Sequence, residues 1–264
     1  MGLEEEYDER IDVSLVDVTS PLAGSAVLTY VDNSAGQADN FSQGNSPNTY
    51  GPLSIGTAFA NRRVLACILQ GDSYDAPVTG VAISGATGGT TFSTFAGPGN
   101  APAGGASSFS GQITWAWADV PTGTTANVVV TGGSASGNGN VLVVIYTFDK
   151  TLVINGAPTT SSGTAGPTAT SGSVTVNTGA SGFVIAAALN SYLGNGGGAG
   201  ATGLSITSST ETYATDRYGA HGSALSSEHL VSSKKSGSAA NTPTSVTYGW
   251  TTSDQILASL LAWN

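Results

Sequence analysis

Charge is scarce in this sequence. Asp, Glu, Lys and Arg together make up 9% of 264 residues, against about 25% in ordinary soluble domains. Bases are scarcer than acids, with 7 Lys+Arg against 17 Asp+Glu and a net charge of −10. So few cations cannot form a basic patch, which excludes nucleic-acid binding by phosphate neutralisation and disfavours an anionic membrane surface. There is a single cysteine, so no intrachain disulfide can form. That residue, Cys67, lies in the apolar run VLACILQ, with no base or electropositive setting nearby, and is expected to be a small buried core residue. One Cys and two His exclude a His/Cys zinc cluster, and no cofactor is expected. No apolar run reaches the ~18 residues a membrane-spanning helix needs. The start, MGLEEEYDER, is acidic where a secretory signal is basic and then apolar, and it lacks the Ser or Thr of a myristoylation site. The expectation is a chain made for the cytosol, or assembled there into something later released.

What the sequence does have is β-strand signal. Short runs rich in Val, Ile, Thr and aromatics recur between Gly/Ser/Asn/Pro turns. They are IDVSLVDV (11–18), SAVLTYV (25–31), RRVLACIL (62–69), VTGVAIS (78–84), ITWAWADV (113–120), TTANVVVT (124–131), VLVVIYTF (141–148), GSVTVN (172–177), GFVIAAAL (182–189), LSITSS (204–209), SVTYGWTT (245–252) and QILASLLAW (255–263). VLVVIYTF and GFVIAAAL are apolar on both faces, which places them centrally or between two layers. SDQILASLLAWN also carries helical spacing, with Ser253 as a cap, but Thr251 and Thr252 before it favour a strand. The fold class is therefore all-β: an antiparallel β-sandwich, jelly-roll-like, with long Gly/Ser/Thr-rich loops.

The connections are long. Residues 85–111 form a Gly/Ala/Pro excursion with Phe92, Phe95 and Phe109; TGGSASGNGN (131–140) reads as a hairpin loop; the polar stretch 155–172 reads as a linker or inter-sheet crossing. No fixed repeat period is visible, which argues against solenoids and propellers. The expected organisation is an acidic arm and edge strand over 1–21, then one sandwich over 22–264, with a possible subdivision near 155–172. Residues 1–17 hold seven acids and one base, Arg10. Glu4, Glu5, Glu6, Asp8 and Glu9 thus form an acidic segment leading into the alternating IDVSLVDV. That combination suits either a docking arm, whose strand adds to a neighbour's sheet, or a solvated tail.

Catalytic constellations are nearly absent, and the chain is expected not to be an enzyme. His221 and His229 flank Ser223, Ser226, Ser227 and Glu228, but Gly-x-Ser-x-Gly does not occur anywhere. Gly198, Gly200 and Gly203 match Gly-x-Gly-x-x-Gly, yet a strand-like LSITSS follows where a dinucleotide site needs a helix. Outside the N-terminal arm the acids are scattered, so no glycosidase pair is indicated. Asp72/Asp75 and Asp32/Asp39 can contribute oxygens to a calcium site, although turn-forming Asp is the simpler role. Aromatics are the remaining binding candidates. Trp115 and Trp117 share a strand face and form either a sugar-stacking platform or part of the core; Ile113 on the same face favours the core. Tyr213 and Tyr218, beside Asp216 and Arg217, are expected to be exposed and available to a partner.

The runs RRVLACILQGDSY, VTGVAISG, ITWAWADVPTGTTANVVVT, VLVVIYTF, SGFVIAAALN, SVTYGWTT and ASLLAW resemble β-sandwich structural proteins of tailed bacteriophages, of the fibre, spike and capsid-decoration type. PTGTTANVVVT, a Pro-Thr-Gly turn feeding a Val/Thr strand, carries most of the likeness, which spans roughly 60–264. The resemblance implies a structural protein of a virion surface, assembled in the host cytoplasm and bound to other virion proteins. A low-charge surface with many Thr and Ser and few Lys offers little hindrance to association, so a homo-oligomer or lattice is expected, and the resemblance implies a trimer as the first expectation. The alternative is a carbohydrate- or receptor-binding β-sandwich module or adhesin that takes a host-surface glycan.

Overall fold

The computed structural model describes residues 27–34, 47–71, 78–84, 93–95, 112–132, 140–153, 158–165, 170–178, 182–190, 205–208, 212–221, 227–234, 242–249 and 256–263. Among these residues the chain is almost entirely antiparallel β-structure, with one short 3-10 turn, Lys150–Leu152, and no α-helix. The first eight strands are β1 (Thr29–Asn33), β2 (Asn48–Ser54), β3 (Arg62–Gly71), β4 (Val78–Ser84), β5 (Ser93–Phe95), β6 (Gln112–Asp119), β7 (Thr125–Gly132) and β8 (Asn140–Asp149). The next eight are β9 (Thr159–Ala165), β10 (Ser171–Thr178), β11 (Phe183–Asn190), β12 (Ser205–Thr207), β13 (Ala214–His221), β14 (Ser227–Lys234), β15 (Thr242–Gly249) and β16 (Ile256–Trp263).

These strands make four sheets. Two have five strands, β1-β8-β3-β6-β5 and β13-β14-β11-β16-β9, and two have three, β2-β7-β4 and β10-β15-β12. No sheet mixes strands from before Val153 with strands from after Pro158. Counting strands from the start of each half gives one order twice: 1-8-3-6-5 with 2-7-4. The C-terminal run is a strand, β16, paired to β11 and β9.

Side-chain alternation shows how the sheets stack. Val64, Ala66 and Ile68 of β3 and Val141, Val143 and Ile145 of β8 meet Tyr50, Leu53, Val81, Ile83, Val128 and Val130 of the first three-stranded sheet. The opposite faces of the same strands carry Leu65, Cys67, Leu69, Leu142, Val144, Tyr146 and Phe148. These meet Phe183, Ile185, Ala187, Leu189, Leu257, Leu261 and Trp263 from the second five-stranded sheet. Beyond that sheet, Val184, Ala186, Ala188, Leu260 and Ala262 pack on Val174, Val176, Val246 and Tyr248. The layers thus run three-stranded, five-stranded, five-stranded, three-stranded. VLVVIYTF and GFVIAAAL are apolar throughout because each lies between two cores.

Several connections differ from the sequence expectation. TGGSASGNGN joins no hairpin, because β7 and β8 belong to different sheets. A Gly-rich stretch does not distinguish a hairpin from a crossing; the difference lies in the strands, β7 being one-sided and β8 two-sided. The polar 155–172 stretch contains β9, an edge strand paired with β16 from Thr159 to Ala165. SEHLVSSK, absent from the strands read in the sequence, forms β14. NTYGPLS, which carries too little β-signal to be read as a strand, forms β2, with a register shift between Tyr50 and Leu53 around Pro52. The arm, including Glu4, Glu5, Glu6, Asp8, Glu9 and IDVSLVDV, lies outside the described residues.

Candidate assembly surface

Trp115 and Trp117 lie on the face of β6 that meets the second half. Trp115 has no exposed surface, and its Nε1 donates to Ser259 Oγ of β16 at 2.9 Å. Its ring therefore offers no face to a sugar. Trp117 is half-buried against the same core and stacks edge-on with Trp263 at 5.2 Å. Phe148 and Phe183 complete the cluster, 4.8 Å apart, and Arg63 lies over the Trp263 ring at 5.3 Å, a cation–π geometry. Tyr146 adds a second hydrogen bond between the halves, its hydroxyl donating to Asp216 Oδ2 at 2.9 Å. Burial, with the nearby Asp216 charge, pushes the Tyr146 phenol well above its ordinary value.

At one end of this interface Asp119 accepts from Arg63 Nε and from Lys150 Nζ, both at 2.7 Å. Burial alone would raise the Asp119 carboxyl; hydrogen bonds and charge from Arg63 and Lys150 outweigh it and hold the group below its ordinary value. Burial pushes the Cys67 thiol well up, which suits an inert core residue rather than a nucleophile.

Arg62 was not singled out in the sequence, yet it is the most unusual polar group described. It is fully buried, and its guanidinium donates to five backbone carbonyls: Val120 and Ile55 at 2.6 and 3.0 Å, Gly56 at 2.7 Å, and Thr122 and Gly123 at 2.6 and 2.8 Å. Positive φ at Gly56 (74°) and Gly123 (75°) turns the backbone at both loops of this cage. The guanidinium thus ties the β2–β3 loop to the PTGTT turn before β7, joining the ends of the two sheets of the first half. Burial lowers the pKa of Arg62 from its ordinary value. The one signal for this site in the sequence is a base opening an apolar strand in a chain with few bases.

The other expected site residues are placed as follows. Asp32 accepts from the backbone N–H of Asn33 at 2.8 Å and of Ser54 at 2.6 Å, an arrangement that ties β1 to the end of β2. Asp39, Asp72 and Asp75 lie outside the described residues. Among the described residues no three His, Cys, Asp or Glu side chains gather as a metal site would need. Tyr213 is half-buried against the outer core of the second half rather than exposed. Tyr218 lies on β13, opposite Leu230 of β14.

The outward faces of the two three-stranded sheets are the least expected surface. None of β2, β4, β7, β10, β12 and β15 contains an acidic or basic residue. On β10 the burial pattern alternates: Val174 and Val176 point inward, while Ser173, Thr175 and Asn177 are exposed. Ser173, Thr247 and Thr207 form one hydroxyl row across the sheet. On the opposite outer sheet the corresponding row is Thr49, Val129 and Ala82. Each outer face therefore presents rows of small uncharged side chains. The chain matches no family model, and comparison with curated proteins and with solved structures finds no match either.

Proposed function

We propose that this chain is a non-enzymatic structural subunit of a virion surface, of the capsid-decoration or fibre/spike kind, that works by protein–protein assembly. Its two halves, about 27–153 and 158–263, are read as two jelly-roll-like β-sandwiches fused through their five-stranded sheets. The strand order 1-8-3-6 facing 2-7-4, present twice, supports that reading. The fifth strand, three residues long in the first half and eight in the second, pairs with the sixth in each and so extends the larger sheet.

The observation that carries the proposal is the absence of charge from both outer sheets. Soluble surfaces ordinarily intersperse Lys, Glu, Asp and Arg, which hinder unwanted association. A chain of net charge −10 repels its own copies wherever acids face each other. Faces of Thr, Ser, Asn, Val and Ala are the places where copies, or other virion proteins, can approach at no Coulombic cost. Two such faces on opposite sides of one block suit repeated assembly.

Mass spectrometry of particles purified from the source tests this. The chain is expected in intact particles at a stoichiometry of many copies. Absence from particles, together with retention of the purified protein on a glycan column, would replace the reading with a carbohydrate-binding module.

A further inference from the structure

We infer that the interface between the halves is a pseudo-two-fold, so that the five-stranded face of each half is a docking surface for a copy of itself and the chain is a dimer fused into one polypeptide. This rests on geometry alone and does not depend on the virion reading. Equal strand order shows that the halves share a topology; the registers show which residues correspond. VLACILQ (64–70) of β3 aligns with VIAAALN (184–190) of β11, with Leu65, Cys67 and Leu69 matching Ile185, Ala187 and Leu189 on the shared face. One position earlier, Arg63 corresponds to Phe183. Arg63 pairs with Phe148 on β8, and Phe183 pairs with Trp263 on β16. Phe148 therefore corresponds to Trp263.

A two-fold makes a definite demand: if residue i touches j' across the interface, then j touches i'. Phe148 touches Phe183 across the interface, with ring centroids 4.8 Å apart. Exchanging each for its counterpart predicts a contact between Trp263 and Arg63, and Arg63 lies 5.3 Å from the centre of that ring. The pair Phe148–Trp263 maps onto itself and must lie on the axis; its centroids are 5.0 Å apart. β3 also packs across on β11, its own counterpart. The cation–π contact is thus the symmetry mate of a Phe–Phe contact.

Two polar links depart from the symmetry. Tyr146 donates to Asp216, whereas its counterpart, paired with Ile185 as Tyr146 is with Leu65, is Leu261, which has no hydroxyl. Trp115 Nε1 donates to Ser259 Oγ, and the counterpart of Ser259 is Val144, which has no acceptor. A homotypic pair of first halves leaves both Trp115 donors unpaired, so the fused arrangement is favoured over it without being the sole pairing the surface allows.

Two measurements test this. The first exchanges the axial pair in the full chain. Trp263→Phe opens a cavity and Phe148→Trp overfills, so each single change should lower the melting temperature, while the double exchange should recover to within a few degrees of the parent. A double variant that melts as low as the two single losses added, or that does not fold, overturns the two-fold. The second places a protease site in residues 154–157 of the full chain and follows the cut protein by native mass spectrometry with isotope-labelled material. The cut halves should remain joined, and as label exchanges, pairs of two first halves or two second halves should appear beside the mixed pair. Halves that part on cutting, or that exchange label while forming only mixed pairs, overturn the homotypic surface. If the halves hold too tightly to exchange, the axial swap decides.

Discussion

Arg62→Ala should be among the most destabilising single substitutions in the first half. The side chain supplies donors to five carbonyls. The bonds to Val120 and Ile55 are fully buried, whereas those to Gly56, Thr122 and Gly123 are part-buried and open to replacement by water. Truncation therefore strands two carbonyls, each costing about 1–3 kcal/mol, and frees two loops held at positive-φ glycines. Release of a desolvated cation offsets part of this. A net loss of about 3–5 kcal/mol is expected, the range for removing one side of a buried charged network. With a urea slope of about 1–3 kcal/mol/M, the midpoint should fall by about 2 M. Arg62→Lys, with three donors for five acceptors, should lie between Ala and the parent. Urea unfolding followed by far-UV circular dichroism measures both. A midpoint within about 0.5 M of the parent for Arg62→Ala would show that the carbonyls do without the guanidinium, and the cage would lose its structural role.

Three further expectations are open to measurement. Trp115→Ala, at a site with no exposed surface, should cost about 3–5 kcal/mol and Trp117→Ala less; a Trp115→Ala melt within a degree or two of the parent refutes the core assignment. Asp119 is held below its ordinary value in the folded chain, so its stabilising contribution is present above about pH 4 and fades as pH falls through the folded value. The melting difference between the parent and Asp119→Asn should accordingly shrink on acidification, and a constant difference from neutral pH to pH 2 contradicts the ion-pair account. Deleting residues 1–20 should leave the fold intact and weaken particle attachment, as should added salt acting on the intact chain; equal attachment of the truncated protein reduces the arm to a tail.

The strands that could be read from the sequence are those whose residues state their environment. VTGVAIS alternates and lies in an outer sheet; VLVVIYTF and GFVIAAAL are apolar on both faces and lie between two cores. Those missed are polar: edge strands such as β2, β9 and β13, and β14, which lies inside its sheet between β13 and β11. NTYGPLS and TTSSGTA pair on one side only and need little β-branched surface. The repeated strand order was hidden because only VLACILQ and VIAAALN keep a visible likeness, and because topology and register, rather than residue identity, carry the rest. Arg62 was missed for a different reason. An arginine is expected at the surface, and nothing in its neighbours announces that five carbonyls from two distant loops converge on it.

The central claim, assembly through the uncharged outer sheets, is tested most directly by sedimentation of the intact protein and of variants with lysine placed on those faces. Thr175→Lys with Thr247→Lys marks one outer sheet, and Thr49→Lys with Thr131→Lys the other. All four positions are exposed, so the fold should persist with an unchanged melting temperature. The account predicts that the parent sediments as an oligomer or larger array and that charging either face reduces it toward smaller species. A parent that remains strictly monomeric at high concentration, or an oligomer indifferent to lysines on both faces, contradicts it.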